Sequence, residues 1–120
     1  MSHATHWRAK LRDALMAARK DRDATRVAAL RSALSAIDNA EAVDVRLDAQ
    51  SSGTIAGGVV GLGAAEAARR ELSDDEIREL VRAEVDERMT AAAAIDTTHT
   101  GRAASLRAEA AVLTGLLGDV

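Results

Sequence analysis

The sequence predicts an all-α fold of four main helices in two antiparallel hairpins, joined by a long flexible glycine-containing loop. Three observations carry this prediction. Alanine, the best helix former, makes up roughly a quarter of the chain, and proline, the strongest breaker, is absent. Apolar residues recur at three- and four-residue spacing in four stretches, and no stretch shows sustained strand alternation. A chain of 120 residues is also long enough for one domain with a modest core.

The first helix is expected from about Ala4 to Lys20, with Trp7, Leu11, Ala14, Leu15 and Ala18 on one face. Asp21-Arg22-Asp23 reads as the turn, and Asp23 as the N-cap of the second helix. Val27, Leu30, Ala33, Leu34, Ile37 and Ala40 form that helix's inward stripe, which is expected to end near Ala42. Residues 1–42 thus make the first hairpin. Residues 43–72 read as a flexible linker, because Gly53, Gly57, Gly58, Gly61 and Gly63 free the backbone and weaken helix. Within it, Ala64 to Arg70 has the composition for one or two helical turns.

Residues 73–120 form the second hairpin. Ser73-Asp74-Asp75-Glu76 has the spacing of a capping box, in which Ser73 accepts the Glu76 backbone N–H and the Glu76 side chain reaches back. Asp74 and Asp75 suit the positive end of the helix dipole. Ile77, Leu80, Val81, Val85 and Ala92 then form an apolar stripe. Gly101 is expected to end this helix in a left-handed conformation, with Arg102 beginning the next. Leu106, Ala110, Leu113 and Leu117 are the last helix's stripe. Neither helix can bury its stripe alone, so the two must pack antiparallel. Glu84, Arg88 and Glu109 lie at or beside these stripes and are expected to pair across the helices.

Composition narrows the function classes. Without cysteine there are no disulfides and no thiolate metal site, which fits a reducing, cytoplasmic setting. No apolar run approaches the roughly 20 residues of a membrane span. The segment Met1-Ser2-His3-Ala4-Thr5-His6 lacks the apolar centre of a signal peptide. Arginine is strongly preferred over lysine, only Lys10 and Lys20 being present, a usage expected of a GC-rich bacterial genome. Small side chains limit the core, so a homo-oligomer would add useful buried surface. The net charge of −3 is unevenly spread: residues 1–42 are net basic and the remainder net acidic. Phosphate neutralisation dominates nucleic-acid affinity, so any RNA contact belongs to the first two helices.

Most polar clusters have an ordinary explanation. Gly57-Gly58-Val59-Val60-Gly61-Leu62-Gly63 lacks the terminal Lys-Ser/Thr of a phosphate loop and reads as a connector. His3 and His6 have no third ligand nearby, so no metal is expected. Thr97-Thr98-His99-Thr100 sits at the inter-helix turn, where such residues serve as caps; no catalytic residue is assigned. Asp74, Asp75, Glu76 and Glu79 are accounted for by capping and the dipole, with magnesium as the minor alternative. The one cationic concentration is Arg19, Lys20, Arg22, Arg26 and Arg31, interleaved with Asp21 and Asp23. It reads either as a solvated helix end or as a binding patch for RNA or an acidic partner.

The string "LSDDEIRELVRAEVDERMTAAA", the turn "GR" and then "LRAEAAVLTGLL" resemble the helical domain of the GatB/YqeY family. The run "LRDALMAARKDRDATRVAALRSALSAIDNAEA", with its Leu30-Arg31 pair, resembles that domain's first two helices. Together these cover roughly Trp7 to Glu41 and Glu71 to Leu117. The family pattern continues with Leu-Pro and a further small helical domain associated with tRNA contact. Here Leu116-Leu117 is followed by Gly118-Asp119-Val120, so the resemblance concerns the helical domain only. It implies a non-catalytic module akin to the tail of the tRNA-dependent amidotransferase B subunit, binding tRNA or a tRNA-handling protein without cofactor. The family label also implies glutamine-dependent carbon–nitrogen ligase activity, for which no catalytic constellation is visible. A protein–protein interaction or assembly module without RNA binding is the alternative.

Overall fold

The computed structural model describes residues 2–52 and 71–118, with 43–52 described by their helical backbone alone. Among the described residues there are four helices and no strand: α1 (His3–Lys20), α2 (Ala24–Ser52), α3 (Asp74–Ile95) and α4 (Thr100–Gly118). Both hairpins are antiparallel. Arg8, early in α1, reaches Asp38 and Glu41 well along α2, whereas the end of α1 meets the start of α2 across three residues. Likewise Arg78, early in α3, donates to the Leu117 carbonyl late in α4, and Arg107 reaches back to Asp96 at the tip.

The local signals that set the helix ends act as expected at two places. The Glu76 N–H donates to Ser73 Oγ at 3.1 Å, and the Ser73 N–H donates to Glu76 Oε1 at 3.1 Å, completing the capping box. Asp23 Oδ1 accepts the Arg26 N–H at 3.1 Å, so Asp23 caps α2. Each bond satisfies a backbone group that the first helical turn leaves unpaired.

The main core joins α1, α2, the start of α3 and the end of α4. Trp7, Leu11, Leu30, Ile37, Ile77, Val81 and Leu113 are its largest fully buried side chains. Each buried leucine or isoleucine stabilises the fold by about 1.5–3 kcal/mol relative to exposure. Alanines 4, 18, 29 and 33 fill the space between, letting the backbones approach closely. A second, smaller cluster of Ala92, Ala103 and Leu106, with Ile95 against it, closes the far end of the α3–α4 hairpin. α2 and α3 each touch all three other helices.

Three sequence expectations are corrected. α2 continues to Ser52 instead of ending near Ala42. No glycine or proline interrupts 43–52, so nothing in the backbone stops the helix before Gly53. Of the rest of the expected linker, 53–70 lie outside the described residues, and with them the helical turns expected from Ala64 to Arg70, whereas Leu72 is buried in the main core. Gly101 does not end α3. It is the second residue of α4, with a helical backbone and nothing near the position of an added Cβ. The turn precedes it, at Asp96 to His99, where the Thr98 and His99 N–H groups both donate to the Ile95 carbonyl. Threonine hydroxyls compete with helical backbone bonds, and Thr98 Oγ1 does so here, donating to that same carbonyl at 3.4 Å. Arg102 accordingly lies inside the first turn of α4 instead of opening it.

Candidate functional site

The end of α1 is built around an unusual backbone conformation. The Asp23 N–H donates to the Ala18 carbonyl at 2.9 Å and the Arg22 N–H to the Arg19 carbonyl at 3.1 Å. This pair of bonds is a Schellman motif, whose pivot residue is left-handed and usually glycine. Here the pivot is Arg22, with φ of 56°. A side chain in that region costs on the order of 1 kcal/mol, so the sequence keeps an arginine where glycine is easier.

Beside this turn, three arginines line the same surface. Arg19 from the last turn of α1, Arg22 from the pivot and Arg31 from α2 line one open depression of about 460 Å³. Its remaining lining residues are Ala24, Val27 and Ala28. These and Arg31 recur at three- and four-residue spacing, so they form a single stripe of α2. Arg19, Arg22 and Arg31 are exposed, and none has a carboxylate partner among the described residues.

The five cationic residues singled out from sequence therefore separate. Arg19, Arg22 and Arg31 share the depression; Lys20 and Arg26 do not line it. Arg26 is partly buried and its Nη1 lies 3.4 Å from Asp21 Oδ2. The interleaved aspartates are thus engaged locally, Asp21 by Arg26 and Asp23 by the cap of α2. Both acids have partners within the turn, and the three lining arginines have no carboxylate partner among the described residues.

The other singled-out residues hold the hairpins together. Arg88 Nε donates to Glu109 Oε1 at 3.0 Å, and Arg88 Nη1 reaches Glu84 Oε1 at 3.3 Å and the Glu84 carbonyl at 3.1 Å. Ser32 Oγ on α2 also donates to Glu84 Oε1. Arg102 adds a longer contact, its Nη1 3.9 Å from Glu109 Oε2. This network crosses three helices in a mostly buried setting, where removing one partner is costly.

Sequence reading missed two further links. Trp7 Nε1 donates to Asp74 Oδ1 at 2.8 Å, while Arg78 Nε donates to Asp74 Oδ2 at 2.8 Å and its guanidinium lies 5.7 Å from the Trp7 ring centre. The Trp7 N–H, foremost, and the Arg78 guanidinium hold the Asp74 carboxyl below the usual carboxylate range. Arg8 bridges Asp38 and Glu41 at 2.9 and 3.0 Å. Burial opposes the Arg8 charge, but Glu41 and Asp38 outweigh it and the guanidinium's pKa is raised. One sequence signal pointed to the first link: a lone buried tryptophan needs a partner for its indole N–H.

Elsewhere the chemistry is thin. Among the described residues no group of three or more histidine or acidic side chains is placed to hold a metal ion. His99 Nδ1 lies 3.0 Å from Thr98 Oγ1, but both are exposed on a turn and the hydroxyl already donates to Ile95. No third group orients that imidazole, which a nucleophilic pair requires. No described helix is long and apolar enough to cross a membrane. Comparison with protein-family models, curated proteins and solved structures returns no match.

Proposed function

We propose that this chain is a non-catalytic helical module of tRNA handling, akin to the GatB/YqeY domain it resembles, and that it binds tRNA through the first hairpin. The observation that supports this reading is the depression lined by Arg19, Arg22 and Arg31, all without carboxylate partners among the described residues. Arginine is the residue suited to phosphate, because its planar fork makes two parallel bonds to one group. The reading places function at the basic end of an otherwise acidic chain, which also orients an approaching polyanion.

Fluorescence anisotropy with labelled bulk tRNA tests it. Binding at low salt should weaken steeply as salt rises, with a log–log slope of roughly 2 to 3 for three neutralised phosphates. Arg19→Glu combined with Arg31→Glu should abolish binding, whereas Arg26→Glu should cost far less. No binding at low salt, or equal losses from Arg26→Glu, overturns the reading.

A second reading, a homo-oligomeric or heteromeric assembly module, draws on Met16 and Met89, two large apolar side chains left exposed on α1 and α3. Light scattering that returns a monomer mass, with no change on Met16→Gln or Met89→Gln, counts against it.

A further inference from the structure

Phosphate binding leaves half of the depression unexplained, because its floor is aliphatic. Ala24, Val27 and Ala28 line it beside Arg19, Arg22 and Arg31. We infer that the depression takes an unpaired nucleotide of an RNA strand, with its phosphate among Arg19, Arg22 and Arg31 and its base laid on the aliphatic floor. This rests on the RNA reading above and narrows it to loops, bulges and strand ends.

The argument turns on what each form of RNA offers. A duplex presents phosphates on its outer ridges and keeps its base faces stacked inside, so an aliphatic floor gains nothing from it. An unpaired base exposes a flat apolar face. Alanine and valine offer that face an apolar surface without an aromatic platform. None is available, since Trp7 is the sole aromatic residue and is fully buried against Asp74. Contact with the base face then falls to Ala24, Val27 and Ala28, and the guanidinium groups are left to the phosphate. Lys20 does not line the depression, so its charged lining is arginine alone. The volume of about 460 Å³ also falls in the range of sites for small ligands, about 300–1,000 Å³.

An acidic peptide is the competing occupant of such a surface. Each carboxylate occupies one guanidinium fork, whereas a phosphate offers several acceptor oxygens to more than one fork. Three arginines lining one depression suit the phosphate better.

The experiment compares a short single-stranded oligoribonucleotide with a blunt duplex matched for phosphate number, by anisotropy at fixed salt. The single strand should bind at least about fivefold more tightly, the low end of what one stacked base contributes. Ala28→Leu fills the floor without changing charge and with little change in helix propensity, and Ala28 is exposed, so the fold is retained. It should bring the single strand down to the duplex level and leave duplex binding unchanged. Equal binding of the two RNAs, or an Ala28→Leu variant indistinguishable from the parent, overturns the nucleotide pocket while the RNA reading survives. Binding of neither RNA overturns both. Displacement of the single strand by a glutamate-rich peptide overturns the pocket in favour of a protein ligand. Displacement by adenosine monophosphate alone, at concentrations comparable to the oligonucleotide, assigns the pocket to a free nucleotide and overturns the strand as its occupant.

Discussion

Trp7 and Asp74, 67 residues apart in sequence, are joined by a 2.8 Å hydrogen bond from the indole N–H to the carboxylate. The bond ties the first turns of α1 and α3 together and places the helix-capping region of the second hairpin against the first. Asp74 has three tasks at once: it accepts from Trp7, it pairs with Arg78, and it stands in the first turn of α3, where the dipole favours an acid.

Asp74→Ala strands the buried indole N–H, so it should destabilise the protein by about 1–3 kcal/mol. Asp75→Ala removes an exposed acid from the same turn, and only the dipole interaction of about 0.3–1 kcal/mol is lost. Urea denaturation followed by circular dichroism gives the ranking. Equal midpoints for the two variants would mean that the Trp7 bond contributes nothing.

The same carboxylate makes stability depend on pH. Its pKa is lowered on folding, so the unfolded chain binds its proton more readily. Stability therefore rises with pH through this window: the contribution is complete above the ordinary carboxylate value of about 4 and is lost as pH falls through the depressed folded value. Acid titrations of the parent and of Asp74→Asn should diverge above pH ~4 and converge below it. Curves that stay parallel through the acid limb would remove Asp74 as a contributor.

Arg88 pairs with both Glu84 and Glu109 between the helices. Arg88→Met leaves two acids facing each other in a mostly buried setting and should cost about 2–4 kcal/mol. Adding Glu109→Leu should recover part of that loss, since it removes one of the two acids while Glu84 keeps only its bond to Ser32. A double-mutant cycle measures the coupling directly, and strict additivity would show that the two residues act independently.

Arg22→Gly separates the stability of the turn from its function. Glycine removes the strain at φ 56°, so melting should show a gain of roughly 0.5–1 kcal/mol. tRNA affinity should fall together with the lost guanidinium. Arg22→Ala keeps the strain and loses the charge, and should weaken binding without raising the melting temperature. An equal gain in melting temperature from both substitutions would place the strain elsewhere.

What the sequence revealed was governed by range. The Ser73–Glu76 box, the Asp23 cap and the four stripes act within one or two helical turns, and periodicity reports them directly. The Glu84–Arg88–Glu109 pairing was also legible, because each residue sits beside an apolar stripe whose packing was already inferred. Gly101 misled because glycine marks many helix ends, whereas the polar run Asp96-Thr97-Thr98-His99 ends α3 unaided. In the candidate site, the five cationic residues were visible as a cluster. Which of them share a surface depends on the left-handed backbone at Arg22 and the Arg26–Asp21 pair. Neither is encoded in spacing. The Arg8 bridge to Asp38 and Glu41 was hidden for the same reason, its partners lying 30 residues and more away.

The separation of Ala92, Ala103 and Leu106 from the main core means that the molecule need not come apart in one step. Three small or medium side chains hold the tip of the α3–α4 hairpin, and their loss exposes little apolar area compared with the Trp7-centred cluster. Amide protons around Ala92 and Ala103 should therefore exchange with deuterium through partial openings of low free energy, while those around Leu30 and Ile77 wait for global unfolding. The tip is then a hinge-like yielding end on a firm base, tied to α2 through the Ser32–Glu84 bond and the ion pairs beyond it.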